Sequence, residues 1–323
     1  MFNRTCLHHH VSFAKLIQIV YNRPNVSKGA ILLRILHFSD THVGMIQHVF
    51  HPKRLLSKRA IGAFNLLRGR GKYFDEVEEK MAAMVRFKEE QEVDIVVHTG
   101  DYTALGLEQE LRLARELVAP MMHPPQRYVT VPGNHDIYVH EANSHYRFNE
   151  QFCSVLQNDL PEYCAGGHYP LVRLVGDDVA FVALNSAKPN PWPWRSDGHI
   201  PTRQLASFER LLDDERIRHR FVFVLTHYAP RLADGMPDKR LHGLHNADDF
   251  LRICAKIQHG TILFGHVHHT YRVEVPEVSI PLFCAGSATM EGREGGWLFE
   301  LENGTLSYRR IGWDGQAYTF VSS

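Results

Sequence analysis

From residue 31 onward the chain repeats one pattern. Short apolar runs rich in β-branched and aromatic residues end in polar residues, and longer stretches with helical spacing lie between them. The runs are "ILLRILHFSDTH", "VDIVVHTGD", "RYVTVPGNHD", "DVAFVALNS", "RFVFVLTHY", "TILFGHVHH" and "SIPLFCAGS". The first three are separated by stretches that include "DEVEEKMAAMVRFKEEQ" and "LEQELRLARELVAP". In the former, Phe74, Val77, Met81, Met84 and Val85 recur on one helix face as core filler, and Glu/Lys pairs four apart occupy the other. Strand and helix in alternation predict an α/β fold with helices packed on a largely parallel sheet and antiparallel strands later in the chain. "GWLFELENGTLSYRRIGW" splits into two alternating runs around Asn303-Gly304 and predicts a β-hairpin. Residues 187–203, "AKPNPWPWRSDGHIPTR", predict an irregular surface loop.

No internal repeat, low-complexity tract or long linker interrupts this pattern, so residues 31–323 are expected to form one domain. Residues 1–30 read as an extension outside it. Their "VSFAKLIQIVYN" is broken by Lys15 and Gln18, too short an apolar run to span a bilayer, and no small-residue cleavage site follows it. His8-His9-His10 has no acidic residue nearby and reads as surface.

Composition changes the picture at two points. Lys plus Arg and Asp plus Glu both number 36, so no whole-molecule field draws the chain to nucleic acid or membrane, and any basic surface must be local. Histidine, at 22 residues, is in excess, which raises the prior for a metal site. The five cysteines, Cys6, Cys153, Cys164, Cys254 and Cys284, show no CxxC pair and no framework spacing. They read as reduced thiols, with Cys254 and Cys284 as small hydrophobes, and the expected compartment is the cytoplasm.

Ligands of open α/β sheets collect beyond the carboxyl ends of strands. The polar residues of this chain lie there: Asp40-Thr41-His42, Gly100-Asp101, Gly133-Asn134-His135-Asp136, Thr226-His227-Tyr228 and Gly265-His266-Val267-His268. Singly they have plain readings: Asp40 and Asp101 as helix caps, "PGNHD" as a tight turn, His227 as a hydrogen-bonded core histidine. Five strand ends that supply only Asp, His and Asn are more than capping requires. His266 and His268, two apart, are expected to point the same way, as side chains alternate along a strand. Imidazole nitrogen with carboxylate and amide oxygen suits Mn, Fe, Zn or Co, and the lack of cysteine argues against a structural zinc. Seven donors exceed one tetrahedral ion. With one carboxylate bridging they suffice for two ions about 3.5–4 Å apart, the arrangement that clamps an in-line displacement.

In that order, D-x-H, GD, GNHD, H and GHxH resemble the calcineurin-like metallophosphoesterases from residue 31 to near the end of the chain. The resemblance implies a sandwich of mixed β-sheets flanked by helices (αββα) and hydrolysis of a phosphodiester, phosphomonoester or pyrophosphate bond. It implies a first metal on Asp40, His42 and His268, a second on Asn134, His227 and His266, and Asp101 bridging both. A hydroxide formed from the shared water is the implied nucleophile and His135 the general acid. Asp136 either orients the His135 ring or caps the turn. His98 and His269 match no family position.

"DTH", "GNHD" and "THYAP" resemble the bacterial branch that includes cyclic-nucleotide phosphodiesterases. A non-catalytic scaffold on this fold loses ligands or the acid histidine, and here none is missing. A nuclease shares the motifs, but balanced charge and the lack of an added DNA-binding module count against nucleic acid. One insert, residues 48–74, follows the first strand: Leu56, Ala60, Ala63, Phe64 and Leu67 share one helical face, with Arg54, Lys58, Arg68, Arg70 and Lys72 outside it. It is expected to be a basic amphipathic helix, either a lid packed on the domain or a face for acyl chains and the inner membrane surface. Its Lys58-Arg59-x-x-Gly62-x-x-Asn65 resembles the insert of bacterial relatives that cleave UDP-diacylglucosamine, which implies substrate contacts at Lys58, Arg59 and Asn65.

Overall fold

The computed structural model describes residues 32–44, 76–137, 144–190, 192 and 194–322. The extension 1–30 and the insert 48–74, with Lys58, Arg59 and Asn65, lie outside them. In chain order the elements are β1 (Leu32–Phe38), α1 (Val77–Glu90), β2 (Ile95–His98), α2 (Glu108–Val118), β3 (Tyr128–Thr130) and α3 (Ser144–Phe152). There follow β4 (Leu171–Val175), β5 (Val179–Ala183), α4 (Thr202–Leu212), β6 (Phe221–Leu225), α5 (Ala247–Cys254), β7 (Gly260–Phe264) and β8 (Thr270–Val273). β9 (Leu282–Ala285), β10 (Gly296–Glu302), β11 (Thr305–Trp313) and β12 (Tyr318–Phe320) complete the chain.

These strands form two six-stranded sheets, in the orders β12-β11-β10-β1-β2-β3 and β4-β5-β6-β7-β9-β8. In the first, β1-β2-β3 run parallel and β12-β11-β10-β1 antiparallel; in the second, β5-β6-β7-β9 run parallel and the edge strands β4 and β8 antiparallel. Alternation along the strands shows how they stack. Val179, Phe181 and Ala183 of β5 and Phe221, Phe223 and Leu225 of β6 enter a core shared with β1, β2 and β10. Ala180, Val182, Val222 and Val224 face a second core with Leu205, Phe208 and Leu211 of α4 and Phe250 and Leu251 of α5. Phe283 of β9 meets Phe299 of β10 edge to face at 4.9 Å, joining the sheets. On the outer side of the first sheet Met81, Met84 and Phe87 of α1, Leu111 of α2 and Phe148 and Phe152 of α3 close the core.

The result is the sandwich of mixed sheets flanked by helices, and it replaces the single largely parallel sheet read from strand-helix alternation. Strands buried on both faces read as continuous apolar runs whether helices or a second sheet cover them. The hairpin forms as β10-β11, with Asn303 at φ 50° and Gly304 at φ 77°, the left-handed pair that a two-residue turn requires. The described residues of the 187–203 segment are irregular up to Thr202, where α4 begins, apart from a single bridge between Gly198 and Leu244. Cys153, Cys164, Cys254 and Cys284 are free thiols, the last two buried. Among the described residues no helix is long and apolar enough to cross a membrane.

Candidate metal centre

The loops after β1, β2, β3, β6 and β7 meet along one rim, to which both sheets contribute. Backbone bonds zip the first two together: Asp40 N donates to Gly100 O at 2.9 Å, His42 N to Asp101 O at 3.0 Å and Val43 N to Tyr102 O at 2.8 Å. The Asp40 carboxylate ties in the second sheet, since Oδ2 accepts the His266 N–H at 3.0 Å. Two glycines make room for the carboxylates. A Cβ at Gly133 would lie 2.1 Å from Asp101 Oδ1, and one at Gly265 2.3 Å from Asp40 Oδ2.

Eight described non-glycine residues have positive φ, and Asp40, His42, Asp101, His266 and His268 are five of them. Each such conformation costs about 1–3 kcal/mol and persists where the surroundings impose it, commonly at functional sites. This corrects the expectation that His266 and His268 point the same way. Strand β7 ends at Phe264, and both histidines are left-handed, at φ 74° and 54°, so period-two alternation does not apply. They face different groups of side chains.

The first group is Asp40, His42, Asp101 and His268, and the second is Asp101, His227 and His266, with the ligand atoms in each within 4.8 Å of one another. In the first, His42 Nε2 lies 2.9 Å from His268 Nε2, and Asp40 Oδ1 lies 3.1 Å from His268 Nε2 and 3.5 Å from His42 Nε2. In the second, Asn134 Oδ1 lies 3.1 Å from His227 Nε2 and 2.9 Å from His266 Nδ1. Asp101 stands between, its Oδ2 3.8 Å from His42 Nε2 and 3.4 Å from His227 Nε2.

Proton placement tests whether cations fit here. Backbone carbonyls only accept, so the Thr103 O at 3.3 Å from His42 Nδ1, the Thr99 O at 2.7 Å from His227 Nδ1 and the His242 O at 3.1 Å from His266 Nε2 each fix the ring proton on that nitrogen. Where those rings carry no second proton, the opposite nitrogens present lone pairs to the oxygens of Asp40, Asp101 and Asn134. Acceptor facing acceptor at about 3 Å is repulsive unless positive charge lies between. Asp40 Oδ1 is moreover buried with no hydrogen-bond partner.

Electrostatics agree. Burial alone would raise the Asp40 carboxyl, but the His268 and His42 rings hold it well below the usual carboxylate range. Burial opposes protonation of His227, yet the Asp101 carboxylate pushes that ring up to about 9, so a proton on Nε2 would take the place that a cation fills. Burial, with His242 and His227 nearby, keeps His266 far below its ordinary value and hence neutral. The buried carboxylates demand positive charge, and the two groups fit two divalent ions.

His135 sits at the edge of the centre, its ring 4.8 Å from that of His42 and nearly perpendicular to it. Its N–H donates to Asp101 Oδ1 at 2.7 Å, and its ring Nδ1 lies 2.6 Å from Ala104 O, the contact that orients the ring. The Asp136 carboxylate instead accepts the backbone N–H groups of Asp101 at 3.0 Å, Gly133 at 2.8 Å and Thr103 at 3.1 Å. Of its two expected roles, turn capping is the one its contacts show. Burial and the neighbouring Asp101 push Asp136 up to about 7. His98 is structural, stacked on Tyr102 at 3.8 Å and accepting the Gly100 N–H at 3.1 Å.

Several supports escaped sequence reasoning. The carbonyls of Thr99, Thr103, Ala104 and His242 carry no side-chain signal. Ser287 Oγ donates to Asp40 O at 2.6 Å and Thr289 Oγ1 to Thr41 O at 2.7 Å, so the end of the run "SIPLFCAGS" holds the first loop. Asp238 Oδ2, 2.5 Å from His242 Nδ1, completes a third group, Asp238, His242 and His266, on the outer side of His266.

Fold and site together define a dimetal hydrolase of the α/β sandwich class. The chain belongs to the calcineurin-like phosphoesterase family, whose model matches residues 33–270, and as a member it is a hydrolase acting on phosphoesters. It is similar in fold to a dimetal phosphatase from Danio rerio (TM-score 0.56, 14% identity, covering 87% of this chain and 99% of that one). It is also similar to a purple acid phosphatase from yellow lupin (Lupinus luteus) seeds (TM-score 0.57, 12% identity, 90% of this chain), of which it spans 53%. Comparison with curated proteins gives no match.

Proposed function

We propose that the chain is a binuclear metal-dependent hydrolase that cleaves a phosphodiester, phosphomonoester or pyrophosphate bond. Asp40, His42 and His268 would hold one ion, Asn134, His227 and His266 the other, and Asp101, common to both groups, would serve the two. The observation that carries this is the convergence of Asp101 Oδ2, Asn134 Oδ1, His227 Nε2 and His266 Nδ1, four atoms each able to give a lone pair to a cation. Two divalent ions of the Mn, Fe, Zn or Co kind supply an acidified water and charge neutralisation at the phosphoryl oxygens.

The chain's own residues do the rest. Asp101 uses Oδ1 to hold the His135 backbone and Oδ2 to face both groups, so it sets the acid's position relative to the centre. With Nδ1 held by Ala104 O, the proton His135 delivers to the leaving oxygen is the one on Nε2. Asp136 keeps the "GNHD" turn closed.

For substrate, a lipid-linked nucleotide sugar of the UDP-diacylglucosamine type is the first reading, supported by Lys58, Arg59 and Asn65 of the basic insert, and it places the protein in the cytoplasm against the inner membrane face. A cyclic nucleotide is the second. A turnover panel of bis-p-nitrophenyl phosphate, p-nitrophenyl phosphate, cyclic AMP and UDP-diacylglucosamine separates them. The expected result is measurable diesterase activity with each metal-loaded form and the highest kcat/KM on the lipid-linked pyrophosphate. A higher value on cyclic AMP would select the second reading, and inactivity on all four would reject the hydrolase.

A further inference from the structure

We propose that a cleft beside the centre, walled by His268, His269, Arg293, Glu294 and Arg310, binds a second phosphoryl group of the substrate. This rests on the phosphoester reading above and narrows the substrate to molecules with two neighbouring phosphates. The cleft measures about 220 Å³. At about 30 Å³ per water that admits a phosphoryl group with its hydration, and it is below the roughly 300 Å³ at which sites for larger organic ligands begin. One wall is shared with the dimetal centre, because His268 lines the cleft and its Nε2 sits 3.1 Å from Asp40 Oδ1.

The charges in the cleft are arranged for an anion. Its single carboxylate, Glu294, is already engaged from behind by the buried Lys80, whose Nζ lies 2.8 Å away and also donates to Thr289 O. Among the described residues neither Arg293 nor Arg310 has a carboxylate within ion-pair distance. Arg293 Nη1 donates to His269 Nδ1 at 2.7 Å, which fixes the guanidinium at the mouth and leaves the ring proton of His269 on Nε2. Arg310 reaches the same cleft from β11. Its neighbour Arg309 points to the opposite face, where its guanidinium lies 3.6 Å over the Phe320 ring. Two guanidinium forks lining one cleft suit the oxygens of a phosphoryl group, which a fork can hold through two parallel bonds.

Calorimetric titration of metal-loaded protein with inorganic pyrophosphate and, separately, inorganic phosphate tests the cleft without requiring turnover. The wild type is expected to bind pyrophosphate more tightly than phosphate, and in Arg293→Ala/Arg310→Ala that preference is expected to fall by about tenfold or more, the loss of at least one charge-assisted contact. Arg293→Lys/Arg310→Lys should recover part of it, and Arg309→Ala should leave it as in the wild type. In kinetics, the ratio of kcat/KM on UDP-glucose to that on bis-p-nitrophenyl phosphate should fall in the double alanine variant through KM. An equal pyrophosphate preference in wild type and double variant would overturn the proposal, as would an equal loss on both ligands accompanied by loss of metal. A protein that shows the arginine-dependent preference yet hydrolyses no phosphoester would retain the cleft and refute the hydrolase.

Discussion

Asp101→Ala is expected to strip both metal positions and abolish turnover in a single step. One carboxylate oxygen, Oδ2, faces His42 on one side and His227 on the other, and the second oxygen takes the His135 backbone N–H at 2.7 Å. Removing the carboxylate leaves each group one anionic ligand short and frees the turn that carries the acid. Loss of an outer-shell partner costs roughly 10–100-fold in metal affinity, and loss of a ligand shared by two ions must exceed this. The conservative Asp101→Asn keeps the volume and an acceptor for His135 N but removes the charge, so it should fold with a melting temperature near that of the variant-free protein while still losing metal. Elemental analysis after dialysis, read against a melting curve, checks both. An Asp101→Asn protein that retained two ions and full turnover would show that Asp101 bridges nothing.

His135→Ala should have the opposite signature, with metal content kept and turnover lowered by roughly 10²–10⁴, the usual share of general acid-base catalysis. The ring is oriented by Ala104 O and belongs to neither ligand group, so its removal takes no ligand from either. The loss should shrink as the leaving group improves, because a p-nitrophenolate needs little protonation and an alkoxide needs much. A plot of log kcat against leaving-group pKa should therefore be steeper for the variant than for the wild type. Equal slopes, or metal lost together with activity, would move His135 out of the acid role.

The residues that gather at the rim were legible because each sits at the end of an apolar run, and a strand end is a position that periodicity locates well. "HFSDTH" and "LFGHVHH" carry their polar tails in plain view. Which tail faces which was legible only through the family resemblance, which put His268 and His266 on different ions, and not from the residue pattern: the two part company because both are left-handed, a backbone state no residue pattern around them announces. The supporting carbonyls of Thr99, Thr103 and His242 are invisible for a simpler reason, since every residue has one. In the fold, strand and helix order was readable, but the runs of β5 and β6 are apolar on both faces and look alike under a helix layer or a second sheet. β4 and β8 were not among the runs read as strands, the first carrying Arg173 and the second Arg272 within otherwise short apolar segments.

The central claim is a two-ion centre that does the chemistry, and metal stoichiometry against activity tests it most directly. Protein would be chelated, dialysed and returned to Mn, Fe, Zn or Co in steps, with bound metal measured by elemental mass spectrometry and turnover of bis-p-nitrophenyl phosphate followed in parallel. Activity should vanish on chelation, return with added metal and saturate at about two ions per chain, the number that clamps an in-line displacement. Chelated protein that hydrolysed the diester as fast as the untreated protein, or activity that saturated at one ion, would contradict the account.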